Sequence, residues 1–306
     1  MRKSLSHDSH LLIDARGITK SFGRVRALDG LDLTVSRGQV HGFLGPNGAG
    51  KSTTIRAILG QLRLDGGNLT LFGRDPWREA SDLHGRLAYV PGDTALWPSL
   101  SGGECIDLIG RLQGSLDPTR RAELIDRFEL DPRRKAATYS KGNRQKVALI
   151  AALATRAELL LLDEPTSGLD PVMEERFIQT IGEIADEGRT VLLSSHIMAE
   201  VEKLCDRVTI IRAGQTVVTD TLDALRAGAL VRIEAGLSSP LPARAALAGV
   251  THRETSRDGL HLSLSVRPES VVDVVETLTS ERPTTLTVTP ASLDELFWQH
   301  YGKEQQ

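Results

Sequence analysis

Cysteine, net charge and long apolar runs are all scarce in this chain, and each scarcity excludes something. Cys105 and Cys205 are the only cysteines among 306 residues, far apart and without metal-ligand spacing. A disulfide framework or a zinc module is therefore excluded, and two isolated thiols suit a reducing cytosol. A formal charge of −3 with a pI near 6.3 leaves no electrostatic footprint for nucleic acid, so none is expected as a partner. No stretch approaches the run of about 18 apolar residues that a membrane helix needs. The longest, Val147–Ala154, is too short to cross a bilayer. The polar segment Met1–His10 lacks the apolar core of a signal peptide. What remains is a hydrophobic content of 40%, ample for a core, in a length that points to one large domain and one smaller one.

The first positive signal is a phosphate loop. Gly45-Pro46-Asn47-Gly48-Ala49-Gly50-Lys51-Ser52 fills the pattern G-x-x-x-x-G-K-[ST] at every position. Val40–Leu44 before it reads as a buried strand, and Lys51–Leu59 after it as a helix closed by Gly60. Glycines let backbone N–H groups turn inward around phosphate oxygens at the positive end of a helix. Lys51 is placed to reach the β- and γ-phosphates, Ser52 to ligate Mg²⁺, and Thr53 to complete the nucleotide-binding set.

The second signal is the segment Tyr139–Asp170, which holds YSKGNRQK, an apolar stretch and LLLLDEPTSGLD. Leu159–Leu162 reads as a strand covered on both faces, with Asp163 and Glu164 at its end. Alone, such a pair is usually a surface acidic turn. Beside a phosphate loop, one carboxylate can hold a metal while the other takes a proton from water.

Together these motifs resemble the nucleotide-binding subunit of an ATP-binding-cassette (ABC) transporter, over about residues 11 to 225. The resemblance implies an α/β P-loop NTPase fold with a mixed central sheet, an antiparallel β-subdomain and a helical subdomain over about residues 94 to 140. Tyr139-Ser140-Lys141-Gly142-Asn143 stands where the family has its LSGGQ signature; Ser140 and Gly142 match, Lys141 and Asn143 depart. Ser167-Gly168-Leu169-Asp170 matches the D-loop, and His196 the switch histidine that contacts the γ-phosphate. Phe22 sits where an aromatic ring stacks on adenine. The implied roles are Mg²⁺ held by Ser52 and Asp163, a general base at Glu164, and Ser140 serving the ATP held by a second copy.

Leu100-Ser101-Gly102-Gly103-Glu104 looks more like LSGGQ than the segment at Tyr139 does. It lies too far upstream to open the helix that leads into the Asp163 strand. It reads instead as a helix start, with Ser101 as N-cap and Glu104 completing a capping box. The family's Q-loop glutamine, which follows a strand, is replaced here by Gly92 in Pro91-Gly92-Asp93. Asp93 is either a substitute oxygen ligand or a plain turn residue.

Beyond about residue 225 the order of elements changes to strand Val231–Glu234, helix Pro242–Ala248, strands Val250–Thr255 and Leu260–Val266, helix Glu269–Thr279 and strand Thr285–Val288. That βαββαβ order suggests a small ferredoxin-like α+β appendage, closed by an amphipathic helix over Ser292–Tyr301. It carries no phosphate loop or carboxylate pair, so a dimer-stabilising or regulatory tail is favoured over ligand sensing. The expected protein is thus an ATP-hydrolysing subunit at the cytoplasmic face of the membrane. It would pair with a second copy and power a separate membrane-spanning permease. YSKGNRQK and DEPTSGLDP resemble drug- and antibiotic-efflux cassettes. A regulatory module that binds ATP with little hydrolysis is the alternative.

Overall fold

A computed structural model describes residues 10–113, 116–227, 230–241 and 247–289 of the chain. The chain divides into two compact units, one ending at Asp220 and the other beginning at Thr221.

The first unit opens with β1 (Leu11–Phe22) and β2 (Val25–Ser36), an antiparallel pair. Then come β3 (Val40–Leu44), α1 (Lys51–Ile58) and β4 (Gly66–Leu71), which pairs with the free edge of β1. β1 runs past Ile18, where its alternating pattern fails, because the pairing register shifts on both sides of Ile18 and Gly17 turns through φ 55. Bulges of this kind keep a strand paired while breaking its inside–outside alternation. Gly66 pairs with Thr19 as the first residue of β4.

The chain continues through α2 (Ala80–His84), β5 (Leu87–Val90), α3 (Gly102–Leu112), α4 (Pro118–Arg127) and α5 (Lys141–Leu153). It then returns to the sheet as β6 (Leu159–Asp163), α6 (Pro171–Asp186), β7 (Thr190–Ser195), α7 (Met198–Leu204), β8 (Arg207–Arg212) and β9 (Gln215–Thr221). The central sheet has the order β5-β6-β7-β3-β8-β9, with β5 through β8 parallel. All four leucines of β6 are fully buried, as a strand covered on both faces requires. Each contributes about 1.5–3 kcal/mol of transfer free energy. One apolar core runs from Ile13 and Leu33 through Phe43 and Ile55 to Leu161 and Leu192, so the two sheets share it.

Register across the parallel strands builds one functional edge. Leu44 of β3 pairs with Ser195 of β7, Ser194 of β7 with Asp163 of β6, and Leu162 of β6 with Val90 of β5. The residues that follow are Gly45, His196, Glu164 and the Pro91-Gly92 loop, and all emerge at the carboxyl end of the sheet, where such folds bind ligands.

The second unit holds α8 (Leu222–Ala227), β10 (Val231–Gly236), β11 (Val250–Thr255), β12 (His261–Val266), α9 (Val271–Ser280) and β13 (Thr285–Thr289). Its sheet order is β11-β12-β10-β13, with antiparallel pairs throughout. Among the described residues, that strand order with α9 between β12 and β13 is the one a ferredoxin-like sheet has. Ile233, Leu262, Leu264 and Val266 pack with Val274 and Leu278 of α9 in its own core. The N-terminal tail to residue 9, most of the helix expected at Pro242–Ala248 and all of that at Ser292–Tyr301 lie outside the described residues. Among the described residues no helix is long and apolar enough to cross a membrane.

Candidate active site

The phosphate loop joins β3 to α1 and turns on glycine. Gly50 is the N-cap of α1 at φ 112, and a Cβ there would stand 2.9 Å from the Ala27 carbonyl oxygen. Only glycine gives that turn without strain. Lys51 is 5% exposed, and its Nζ donates to the carbonyls of Gly45 at 2.7 Å and Pro46 at 3.2 Å. Burial lowers its pKa below the usual lysine value, opposed by the nearby Glu164 and Asp163 carboxylates. The ammonium is thus folded back over its own loop, 3.7 Å from Glu164 Oε1.

Ser52 and Asp163 lie side by side. Ser52 Oγ donates to Asp163 Oδ2 at 3.2 Å, and the other Asp163 oxygen accepts from Ser194 Oγ. A hydroxyl and a carboxylate are hard oxygen donors, a set that fits Mg²⁺ bound chiefly by phosphates and water. Among the described residues no cluster of three or more His, Cys, Asp or Glu could hold a metal.

Glu164 follows in a strained conformation. Its φ is 47, a left-handed value that costs a residue with a Cβ about 1–3 kcal/mol. Its carboxylate Oε1 lies 3.2 Å from His196 Nδ1. Both side chains keep access to solvent. Gly92 lies against Asp163 and Glu164: a Cβ on it would stand 3.2 Å from the Asp163 carbonyl oxygen and 3.7 Å from Glu164 Cβ. Asp93 is exposed beside it.

The signature segment opens α5. Ser140 is the N-cap, its Oγ accepting from Asn143 N at 3.2 Å, which leaves the hydroxyl hydrogen free to donate outward. Among the described residues no hydrogen bond or ion pair joins Ser140 to the phosphate loop. The two residues after Ser140 instead approach Ser167 and Gly168 of the same chain. Lys141 Nζ donates to Ser167 Oγ at 2.8 Å, and a Cβ on Gly142 would stand 2.3 Å from the Gly168 carbonyl oxygen. Asp170 caps α6, accepting from Val172 N and Met173 N through Oδ1. Phe22, at the end of β1, is 50% exposed, with Lys20 Nζ 5.7 Å from its ring centroid.

The segment at Leu100 is a helix start. Ser101 Oγ accepts from Glu104 N at 3.3 Å and Glu104 Oε2 accepts from Ser101 N at 2.6 Å, a complete capping box.

Two buried polar residues at the site went unnoticed in the sequence. Gln145 Oε1 accepts from Thr94 Oγ1 at 2.8 Å, while its Nε2 donates to the Pro165 carbonyl at 3.1 Å. Glu200 of α7 accepts from Thr166 Oγ1 and from Ser195 Oγ. The available signal was a polar side chain on the apolar face of each helix, with Ala148 and Leu149 after Gln145 and Met198 and Val201 around Glu200.

The family described as ABC transporter matches residues 28–167. The chain is 38% identical to the daunorubicin resistance ATP-binding protein DrrA3 of Streptomyces coeruleorubidus, over 89% of this chain and 88% of that protein. It is 35% identical to the linearmycin resistance ATP-binding protein LnrL of Bacillus subtilis, over 69% of each. Among solved structures, an ATP-binding subunit of an ABC transporter superposes with a TM-score of 0.65 at 29% identity, covering 70% of this chain and 92% of that one. The chain belongs to the ABC transporter ATP-binding subunits and is an ATPase of that family.

Proposed function

We propose that this subunit powers drug or antibiotic efflux through a separate membrane-spanning chain, working at the cytoplasmic face of the membrane as one of a pair. The single observation that carries its hydrolytic half is the edge where Lys51, the Ser52–Asp163 pair and the Glu164–His196 pair converge. The transport half is supported by relatives named for resistance to daunorubicin and linearmycin. Exposed Trp97, Leu108 and Leu112 offer an apolar surface on and before α3 where a permease could dock.

The residues divide the reaction as follows. The loop from Gly45 to Gly50, with Pro46, Asn47, Gly48 and Ala49 between, surrounds the phosphates with N–H groups. Phe22 stacks on the adenine. Lys51 Nζ leaves its carbonyl acceptors for the β- and γ-phosphate oxygens, and Thr53 lies beside it at the start of α1. Ser52 and Asp163 would hold Mg²⁺, which supplies charge neutralisation at the phosphates. Water attacks the γ-phosphorus; the new P–O bond forms as the bond to the β-phosphate oxygen breaks, and Glu164 takes the water's proton. His196 steadies the γ-phosphate. Ser140 donates its hydroxyl hydrogen to the γ-phosphate bound by the partner copy, with Gly142 holding the close backbone approach and Asp170 at the junction. Most of the catalysis is positioning and electrostatics.

The test is co-reconstitution with the permease in vesicles, following anthracycline movement against ATP. ATP-dependent movement that Lys51→Ala abolishes supports the reading. Vigorous hydrolysis without movement of any resistance-type drug refutes the efflux assignment.

A further inference from the structure

The loop carrying Glu164 is gripped by two buried side chains from different helices. Glu164 sits at φ 47, a conformation that persists only where the surroundings over-determine it. The next residue, Pro165, gives its carbonyl oxygen to Gln145 Nε2 at 3.1 Å. The residue after that, Thr166, donates its hydroxyl to Glu200 Oε1. Glu200 Oε2 accepts from Ser195 Oγ at 2.8 Å, and Ser195 directly precedes His196. Glu200 therefore spans from the loop bearing the carboxylate to the residue before the histidine.

Gln145 is 1% exposed and Glu200 8%. Among the described residues no ion pair accompanies Glu200, whose carboxylate is held by two hydroxyls. Burying such groups is unfavourable, and well-packed apolar residues would stabilise the fold at least as well. What these side chains contribute is geometry. Gln145 also accepts from Thr94 Oγ1 at 2.8 Å, so a bond from the loop beyond Gly92 ends on the same amide.

The geometry points to Gln145 and Glu200 as positioning residues for Glu164. Together they hold its backbone in the left-handed turn and keep its carboxylate 3.2 Å from His196 Nδ1. They act through Glu164 and not on the nucleotide. The inference rests on Glu164 being the group that takes the proton from water.

In the full chain, Glu200→Ala and Gln145→Ala lower kcat for ATP hydrolysis about 10- to 100-fold, the range for displacing a catalytic group by up to about 1 Å. The KM for ATP stays within about two-fold, since nucleotide binding is not their task. Glu200→Gln keeps an oxygen for one hydroxyl and an amide for the other, and recovers most of the lost kcat. In a Glu164→Gln background, adding Glu200→Ala lowers the residual hydrolysis by less than about two-fold, because residues acting through one group are not additive. If Glu200→Ala does not fold, Thr166→Ala deletes the same bond and carries the test. Wild-type kcat in folded Glu200→Ala and Gln145→Ala overturns the inference, as does the full loss repeated in the Glu164→Gln background. Wild-type turnover in Glu164→Gln alone overturns the general-base reading and takes this inference with it.

Discussion

A single added methyl at Gly142 tests whether the signature segment and the D-loop must touch. The Cβ of Gly142→Ala would lie 2.3 Å from the Gly168 carbonyl oxygen, against backbone with no flexible side chain to yield. Relief to ordinary contact requires the two segments to part by about 1 Å, and overpacking of this kind costs about 1–3 kcal/mol. Gly142 lies in the first turn of α5, where alanine is favoured by up to about 1 kcal/mol of helix propensity. The steric effect wins, by up to about 2 kcal/mol, and the melting temperature falls by about 2–4 °C for each kcal/mol lost. Hydrolysis suffers more, because Ser140 and the D-loop move together: kcat falls about 10- to 100-fold. ATP affinity, set by the phosphate loop, stays within about two-fold. Steady-state hydrolysis, thermal melting and binding of a fluorescent ATP analogue read all three quantities. A Gly142→Ala protein that melts above wild type and hydrolyses normally would show that helix propensity dominates and the close approach is unimportant.

Three further outcomes follow from the same geometry. Phe22→Ala leaves the melting temperature unchanged, because the ring is half exposed. It raises the Kd for ATP about 5- to 150-fold, the range for losing about 1–3 kcal/mol of base stacking, measured by analogue displacement. Ser101→Ala removes a cap and costs about 0.5–2 kcal/mol in denaturant unfolding. It leaves hydrolysis untouched, since that segment is a helix start. Glu158 is held below the usual carboxylate pKa by hydrogen bonds from Arg86 and Arg37. A depressed folded pKa means its contribution is present above the unfolded value near 4.3 and is lost as pH falls through the folded one. The stability gap between wild type and Glu158→Gln, below about 1 kcal/mol for so exposed a pair, therefore closes in acid.

Legibility in the sequence tracked the range of the interaction that fixes each feature. β6 was readable because four consecutive leucines fit a doubly covered strand, and the phosphate loop because its glycines, lysine and serine act within one turn. Spacing separated Leu100–Glu104 from Tyr139–Asn143, and the capping box at Ser101 agrees with that separation. β1 continues through the bulges around Ile18, which break the alternation by which a strand is read from sequence. Gly92 was visible as a departure from the family pattern, yet its closeness to Asp163 and Glu164 comes from the pairing of β5 with β6. Gln145 and Glu200 stayed hidden for the same reason. A polar residue in a helix reads as solvated face until its partners, here on other segments, are brought to it.

In the proposed reaction Glu164 takes the proton from the attacking water while Lys51 and its loop bind the nucleotide. Measuring Mg²⁺-dependent ATP hydrolysis and ATP affinity side by side for wild type and Glu164→Gln tests it most directly. The expected result is a loss of turnover of about 10²- to 10⁴-fold, the worth of a general base, with affinity within about two-fold of wild type. Wild-type turnover in Glu164→Gln, or a loss of affinity as large as the loss of rate, would contradict the account.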